Sequence, residues 1–346
     1  MILKTQKSLK NGESGFVLIA ILLIIAVLAV IILEFNYESR MKLHLADNFN
    51  LAGKALDCAD AGIAITIAAL RKNENILSDE KFRSLFSGMV RIPIQKGYCT
   101  ISIDEESAKF NINTLSTSDS QLMLNKVNQM LRLIDLLNAQ YGESFPASYN
   151  LIPAIIDWVD SDNEVTILPF VKGENIGAEN NYYQKLEDPY PCKNAPFDLL
   201  SEILLVKGMT MELFHGRPGN ENKGMKPIVG FKQLLTVYGD GKININEASA
   251  MVIQSLSEMI SYSLAQNIIQ QRKLGLYENI EQLQQVPGMT PKIYEAIREL
   301  ITVKSMDDYY IVTGTGVVDQ FERKVQVVLR KDQQSTQVMT VMRYEM

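Results

Sequence analysis

The sequence predicts an α+β fold: a long N-terminal helix laid on an antiparallel sheet, with a large all-α domain inserted between the strands. Three observations carry this. Residues 16–72 contain no proline and keep a helical apolar period. Period-two segments occur only near residue 100 and beyond residue 305. The stretch between them is helical and repeats a short motif twice.

The helix begins with Phe16–Leu33, FVLIAILLIIAVLAVIIL, which holds no charge. A bilayer core needs roughly 20 apolar helical residues, so this run can just span it. Residues 1–15 carry Lys4, Lys7 and Lys10 against Glu13. Positive flanks stay cytoplasmic, which places the bulk of the chain across the membrane. A secretory signal puts its small-residue cleavage site after the apolar run. Here the small residue, Gly15, precedes it. A cut between Gly15 and Phe16 removes a basic leader and keeps the helix; the plainer alternative is an uncut membrane anchor. Beyond Leu33 the apolar positions Leu45, Phe49, Ala52, Leu56, Ala59, Ile63, Ile67 and Leu70 recur three or four apart. One helix from Phe16 to about Arg71 follows, roughly 80 Å long at 1.5 Å per residue. A linker with Asn73, Asn75 and Ser78 and a helical piece from Asp79 to Phe86 come next.

Gly97 to Asp104 alternates as a half-buried strand does. Tyr309–Gly314, Phe321–Leu329 and Ser335–Arg343 are three further β-rich runs, with turn signals at Gly316, Asp319 and Asp332. The simplest sheet joins residues 34–108 and 305–346 into one domain, crossed by the amphipathic half of the helix. Residues 109–304 are then an insertion.

That insertion repeats itself. Lys109-Phe-Asn-Ile-Asn-Thr-Leu-Ser116 parallels Lys242-Ile-Asn-Ile-Asn-Glu-Ala-Ser249, and Val206-Lys-Gly-Met-Thr210 parallels Val286-Pro-Gly-Met-Thr290. Two related helical subdomains follow, over residues 109–215 and 242–304. Ser and Thr before the helices suit N-caps, and Gly208 and Gly288 suit left-handed positions after a helix. The first subdomain is enlarged by an irregular stretch at 160–196, rich in Asp, Glu, Asn, Tyr and Pro.

The chain has 346 residues, 47% of them hydrophobic, which leaves enough beyond the anchor for two domains. Its net charge is −6; the leader contributes three lysines and Glu13, so its removal leaves −8. That balance repels polyanions and disfavours a general nucleic-acid role. Only His44 and His215 are present, against a histidine-based metal site or triad. Cys58, Cys99 and Cys192 allow one disulfide and one free thiol, with the pairing open.

The chemistry with the best prospects is acidic. Asp157, Asp160, Asp162 and Glu164, then Glu187 and Asp188, then Asn194, offer carboxylate and amide oxygens in an irregular loop. Hard cations such as Ca²⁺ take six to eight oxygens. EF-hand spacing is absent, because Val165 stands where the turn glycine belongs. Asp160, Asp162 and Asp188 rank highest, since Asp157 can stay on the preceding helix. A solvated acidic loop is the bland alternative. The segment Leu283–Thr290 resembles a helix-hairpin-helix, or SAM-like, element. Nucleic-acid binders of that kind use two hairpin glycines, but here Thr290 holds the second position and Pro291 removes a donor. Packing is therefore the expected role, and DNA binding through helix-hairpin-helix elements is the alternative function. No nucleophile–base pair or phosphate loop points to an enzyme.

Taken together, Gly15-Phe16 with its helix, Lys109–Leu115, Ile155–Asn163, Lys193–Asp198, Leu204–Thr210 and Val237–Asn246 resemble the minor pseudopilin K family of type II secretion systems. The resemblance implies a pilin-type domain with an inserted α-domain, cleavage at Gly15 by prepilin peptidase and N-methylation of Phe16. It also implies calcium in the α-domain and a single-pass inner-membrane protein with its bulk in the periplasm. Implied partners are minor pseudopilins I and J, with H and the major pseudopilin as further candidates, and secreted substrates or the outer-membrane secretin beyond them. Nucleic acid is not among them. The implied role is at the tip of the pseudopilus, initiating or capping it. Counting from Phe16, the fifth residue is Ala20, where most pilins have Glu. A carboxylate in lipid is costly unless it neutralises the N-terminal amine of a neighbouring subunit. A tip subunit has no such neighbour ahead of it.

Overall fold

The computed structural model describes residues 12–72, 84–117, 119–141, 147–171, 175–219, 227–304, 307–332 and 337–345. Residues 1–11, the linker with Asn73, Asn75 and Ser78, and the start of the helical piece expected from Asp79 lie outside the described residues, as do the side chains of 12–15.

Helix α1 runs from Gly12 to Lys72 without a break. It is bare up to Phe49 and packed beyond it. The packed half buries Ala55, Cys58, Ala59, Ile63, Thr66 and Leu70, a stripe with a step of three or four. Its partner is a five-stranded antiparallel sheet in the order β1-β2-β9-β10-β11. The strands are β1 (Ile92–Ile94), β2 (Gly97–Glu105), β9 (Asp307–Val318), β10 (Phe321–Asp332) and β11 (Val338–Glu345). The short strand β1 was not legible in the sequence, and β9 starts earlier and ends later than its apolar run.

Helix and sheet meet closely because β9 carries Gly314 and Gly316 on the face toward α1. A Cβ at Gly316 would lie 1.9 Å from the Ala55 carbonyl oxygen, and one at Gly314 2.5 Å from that of Ala59. The core beneath holds Cys99, Ile101, Val312, Val325, Val327 and Leu329. At its edge Arg343 of β11 makes a two-pronged ion pair with Asp60, at 2.5 and 3.1 Å. All three cysteines are buried free thiols, so the allowed disulfide is not formed.

Strands β2 and β9 are neighbours, with Glu105 opposite Tyr310, and the whole insertion runs between them. Its two entry points are thus already held together by the sheet. The insertion is helical, with α2 (Ser120–Tyr141), α3 (Leu151–Val159), α4 (Asn180–Tyr183), α5 (Met211–His215), α6 (Ala250–Ser255), α7 (Tyr262–Leu274) and α8 (Pro291–Ile297). It also contains short ladders that the sequence did not announce. β3 (Phe110–Asn111) pairs in parallel with β6 (Leu235–Thr236), and β7 (Ile243–Asn244) with β8 (Ile301–Thr302). β4 (Gly216–Arg217) and β5 (Ile228–Val229) are antiparallel.

The repeat is physical as well as textual. In the first subdomain Asn113 accepts from Phe197 N at 2.8 Å and donates to the Phe197 and Val237 carbonyls. In the second, Asn246 accepts from Tyr277 N at 2.9 Å and donates to the Tyr277 and Val303 carbonyls. Each asparagine pegs three chain segments by satisfying buried backbone groups. Thr210 and Thr290 both cap the helix after the hairpin, and Gly208 and Gly288 are left-handed, at φ 88° and 93°. The repeats differ after α3 and α7. Gly275-Leu276 alone joins α7 to Tyr277, whereas residues 160–196 join α3 to Phe197.

Gly316 of β9 and Gly53 of α1 give opposite expectations. Gly316→Val should destabilise the protein by about 3 kcal/mol or prevent folding, because backbone cannot yield to the new side chain. Gly53→Ala, whose Cβ meets nothing within 4 Å, should stabilise it by about 1 kcal/mol through helix propensity. Chemical denaturation of both variants measures the difference.

Candidate metal centre

Helix α3 is buried on every side, and Asp157 is its one ionisable residue. The Asp157 Oδ1 accepts from Thr166 N at 2.9 Å. Gly177 lies against the other oxygen so closely that a Cβ would come within 2.1 Å of it. Asp160 closes the helix by donating its N–H to Ile156 O at 2.9 Å, then turns the chain into extended backbone. Asp162 opens an Asx turn, accepting from Glu164 N at 2.8 Å. Glu179 precedes α4, yet its side chain does not cap that turn. The side chain turns inward instead, and the residue is 2% exposed.

These turns bring oxygens of Asp160, Asp162 and Glu179 within 4.8 Å of one another. Both Glu179 oxygens, Asp160 Oδ1, Asp157 Oδ2 and Asn194 Oδ1 are buried and accept no hydrogen bond from the described residues. Asn194, left-handed at φ 48°, donates its Nδ2 to Asp162 O at 2.5 Å, which ties the far end of the loop to the cluster. Trp158 stacks on Phe197 and meets Tyr183 edge-on, forming an aromatic wall behind α3.

Burial and mutual repulsion disfavour charge here. Loss of solvent, then Asp162 and Asp157, push Asp160 up to about 6. Loss of solvent, then Asp157, Asp160 and Asp162, push Glu179 up to about 7. Burial also raises Asp157, against the hydrogen bonds from Thr166. Unpaired buried carboxylates cost several kcal/mol each unless protonated or neutralised by a cation. Orphaned, convergent, all-oxygen donors fit a hard divalent cation such as Ca²⁺.

The outcome for the sequence-derived residues is mixed. Asp160 and Asp162 stand together, with Asp157 beneath them and Asn194 at the rim. Glu164 is exposed, and its N–H rather than its carboxylate serves the turn. Glu187 and Asp188 are exposed beyond α4 and do not join the group, which corrects the high rank of Asp188. The second arm is Glu179 instead. The helical turn Asn180–Tyr183 separates Glu179 from that acidic pair, which stays exposed. Glu179 was missed because it has no acidic neighbour in sequence. The available signal was Gly177-Ala178 before it, small residues that allow close approach to Asp157.

At the N-terminal end, Gly15 and Phe16 lie within continuous helix, with Phe16 exposed. Ala20 sits among exposed apolar side chains. The hairpin at Gly288 uses the Thr290 hydroxyl to cap Ile293 N, at 3.3 Å. A cleft of about 370 Å³ between β2 and the second subdomain is lined by Asp104, Glu105, Lys109, Gln233 and Glu247 among others. Its Ser249 hydroxyl is engaged in capping α6.

Residues 108–216 match the family model for type II secretion system (T2SS), protein K, and residues 232–302 match the helix-hairpin-helix motif. Type II secretion system protein K of Pectobacterium carotovorum subsp. carotovorum is 26% identical over 222 residues, covering 62% of this chain and 61% of that one. The protein K of Aeromonas hydrophila is 24% identical over 214 residues, covering 58% and 61%. The matches thus span 61% of the length of each relative. A chain in the crystal structure of the GspK-GspI-GspJ complex from the enterotoxigenic Escherichia coli type 2 secretion system shares the fold, with a TM-score of 0.62 at 18% identity. That likeness covers 85% of this chain and 96% of the other. The resemblance to the protein K family read from the sequence is borne out.

The raised carboxyls set a sign for pH dependence. Their folded-state values, about 6 and about 7, lie above those of unfolded Asp and Glu, near 4. The folded protein therefore binds the extra protons, and the stability they confer is present below about pH 4 and lost as pH rises through 6 to 7. With divalent cations chelated, amide exchange in residues 160–196 should speed up from pH 5 to pH 7.5 by more than the intrinsic pH effect. Asp160→Asn with Glu179→Gln should flatten that excess.

Proposed function

We propose that this chain is a membrane-anchored minor pseudopilin of a type II secretion system. It stands at the tip of the pseudopilus, initiates or caps it with minor pseudopilins I and J, and supports export of folded proteins across the outer membrane. The observation that carries the reading is the division of α1. Its apolar first part is long enough to cross a membrane, and the bare part beyond exposes Phe35, Tyr37, Met41, Leu45 and Phe49 to solvent. An amphipathic helix left open over that length needs other helices to cover it. The globular body then lies in the periplasm, after cleavage at Gly15 and methylation of Phe16.

Two features favour the tip over the shaft. The spanning segment has Ala20 and no carboxylate, so it cannot neutralise the amine of a subunit ahead of it. The α-domain inserted between β2 and β9 is bulkier than the sheet domain that carries it, and a shaft subunit must fit between neighbours. The helix-hairpin-helix elements act as packing units in this reading, because Pro291 and the capping Thr290 take up the groups that would face a phosphate.

Calcium is the proposed occupant of the acidic centre, held by Asp160, Asp162 and Glu179 with Asn194 at the rim. When bound it supplies positive charge to the Asp160 and Glu179 carboxylates, whose buried oxygens lack a hydrogen-bond donor among the described residues. Asp157 orients the loop by holding Thr166.

Ala20→Glu should leave membrane insertion intact and reduce filament initiation and secretion; unchanged assembly would remove the tip argument. The soluble part should co-purify with minor pseudopilins I and J.

For the metal, melting temperature should rise as calcium goes from micromolar to millimolar and fall with chelator. Occupancy at 100 times Kd contributes about 2.7 kcal/mol. Asp160→Asn with Glu179→Gln should abolish the shift. Terbium luminescence sensitised by Trp158, the single tryptophan, gives an independent readout. A melt indifferent to calcium, with no terbium signal, returns the loop to a protonated acidic cluster.

A further inference from the structure

Two of the three cysteines meet at the seam where α1 crosses the sheet. Cys58 of α1 and Cys99 of β2 are 3 and 0% exposed. Gly316 stands directly opposite Cys99 across the ladder of β2 and β9. A Cβ built on Gly316 would lie 2.9 Å from the Cys58 Cβ, so Cys58 sits over the position beside Cys99. The sulfurs are placed reciprocally. Cys58 Sγ lies 3.3 Å from a Cβ built on Gly97, which shares its face of β2 with Cys99. Cys99 Sγ lies 3.2 Å from one built on Gly62, about one helical turn after Cys58 on the same face of α1. Each thiol thus packs against a glycine that neighbours the other cysteine.

A disulfide needs its two Cβ atoms within about 3.5–4.5 Å of each other. Side chains between a helix and a sheet hold the backbones apart, but Gly62, Gly97 and Gly316 have none, and the helix comes down onto the strands here. Cys58 donates only a weak hydrogen bond, to Ile94 O at 3.7 Å. Burial, then Cys58, push the Cys99 thiol up. Burial, then Asp57, push the Cys58 thiol up. Thiolates are therefore scarce once the seam has closed, and the pair reacts while the seam is open. Cys192 stands apart in the core of the insertion, with its thiol on Asp157 O at 3.5 Å.

We propose that Cys58 and Cys99 are a disulfide site, whose oxidation staples α1 to β2 and leaves Cys192 as the free thiol. The oxidant is a second disulfide, that of glutathione or of a thiol oxidase. One cysteine thiolate attacks it and expels one of its sulfurs as thiolate. The other cysteine then attacks the mixed disulfide and expels the second. In sum one S–S bond forms and one breaks, and two protons pass from the cysteines to the departing thiolates. The bond closes a loop of about 40 residues, which restricts the unfolded chain. It lies within a turn of Ala55, the first buried residue of α1 among those described, and so secures the helix where its bare part ends. The inference rests on the seam alone and not on the function proposed above.

The test uses the full chain in detergent, kept in reduced or oxidised glutathione with urea below the unfolding transition, so that the seam opens and recloses. Samples are acid-quenched, alkylated and digested without reduction. Mass spectrometry of the oxidised sample should find the peptides of Cys58 and Cys99 linked and only Cys192 alkylated. The reduced sample should be alkylated at all three cysteines. The oxidised chain should melt roughly 10 °C above the reduced one. Cys192→Ser should keep both the link and the shift, whereas Cys58→Ser should lose both. Any of four results overturns the proposal: three alkylated cysteines after oxidation, a link through Cys192, a link between two copies of the chain, or a linked chain that melts no higher than the reduced one.

Discussion

The close approach of α1 to β9 is the contact on which the rest of the molecule depends. It exists because Gly314 and Gly316 leave no Cβ between strand and helix, so the Ala55 and Ala59 carbonyls lie almost on the sheet. That fit fixes where the helix leaves the body and how much of it stays bare. It also fixes β9 beside β2, and so holds the two ends of the insertion together. A domain can be inserted between adjacent strand ends with little entropic cost, because the sheet has already closed the loop.

Within the insertion, buried asparagines take the place that long ladders hold in the sheet. Asn113 and Asn246 each satisfy the backbone of segments far apart in sequence, and their loss would strand buried polar groups. One peg per repeat is enough to set the path of the chain, which leaves the connection between α3 and Phe197 free to grow. Residues 160–196 are that growth. They carry the acidic centre, and the corresponding point of the second repeat is only Gly275-Leu276.

The acidic centre and the bare helix serve one economy of structure. The first half of α1 presents exposed apolar surface along its length. The distal half concentrates negative charge on one loop and holds it in place through Asp157. A chain built this way has two chemically distinct ends, one apolar and one acidic.

The sequence by itself determined the helix, the sheet, the place of the insertion and its duplication. Each rests on local periodicity or on a repeated short motif, and these are written in neighbouring residues: the stripe from Leu45 to Leu70, the alternation from Gly97, the paired Lys-x-Asn-Ile-Asn segments. It also made Asp160 and Asp162 candidates, because acidic residues two apart in an irregular stretch are visible without a fold. Tertiary structure decided the rest. Glu179, rather than Glu187 or Asp188, faces that pair, because Gly177 lets its segment close on Asp157 while the helical turn Asn180–Tyr183 sets the other two apart. The parallel ladders escaped notice because a strand of two residues has no period. Which side of a segment meets water is fixed by contacts between distant residues, and no local pattern contains that information.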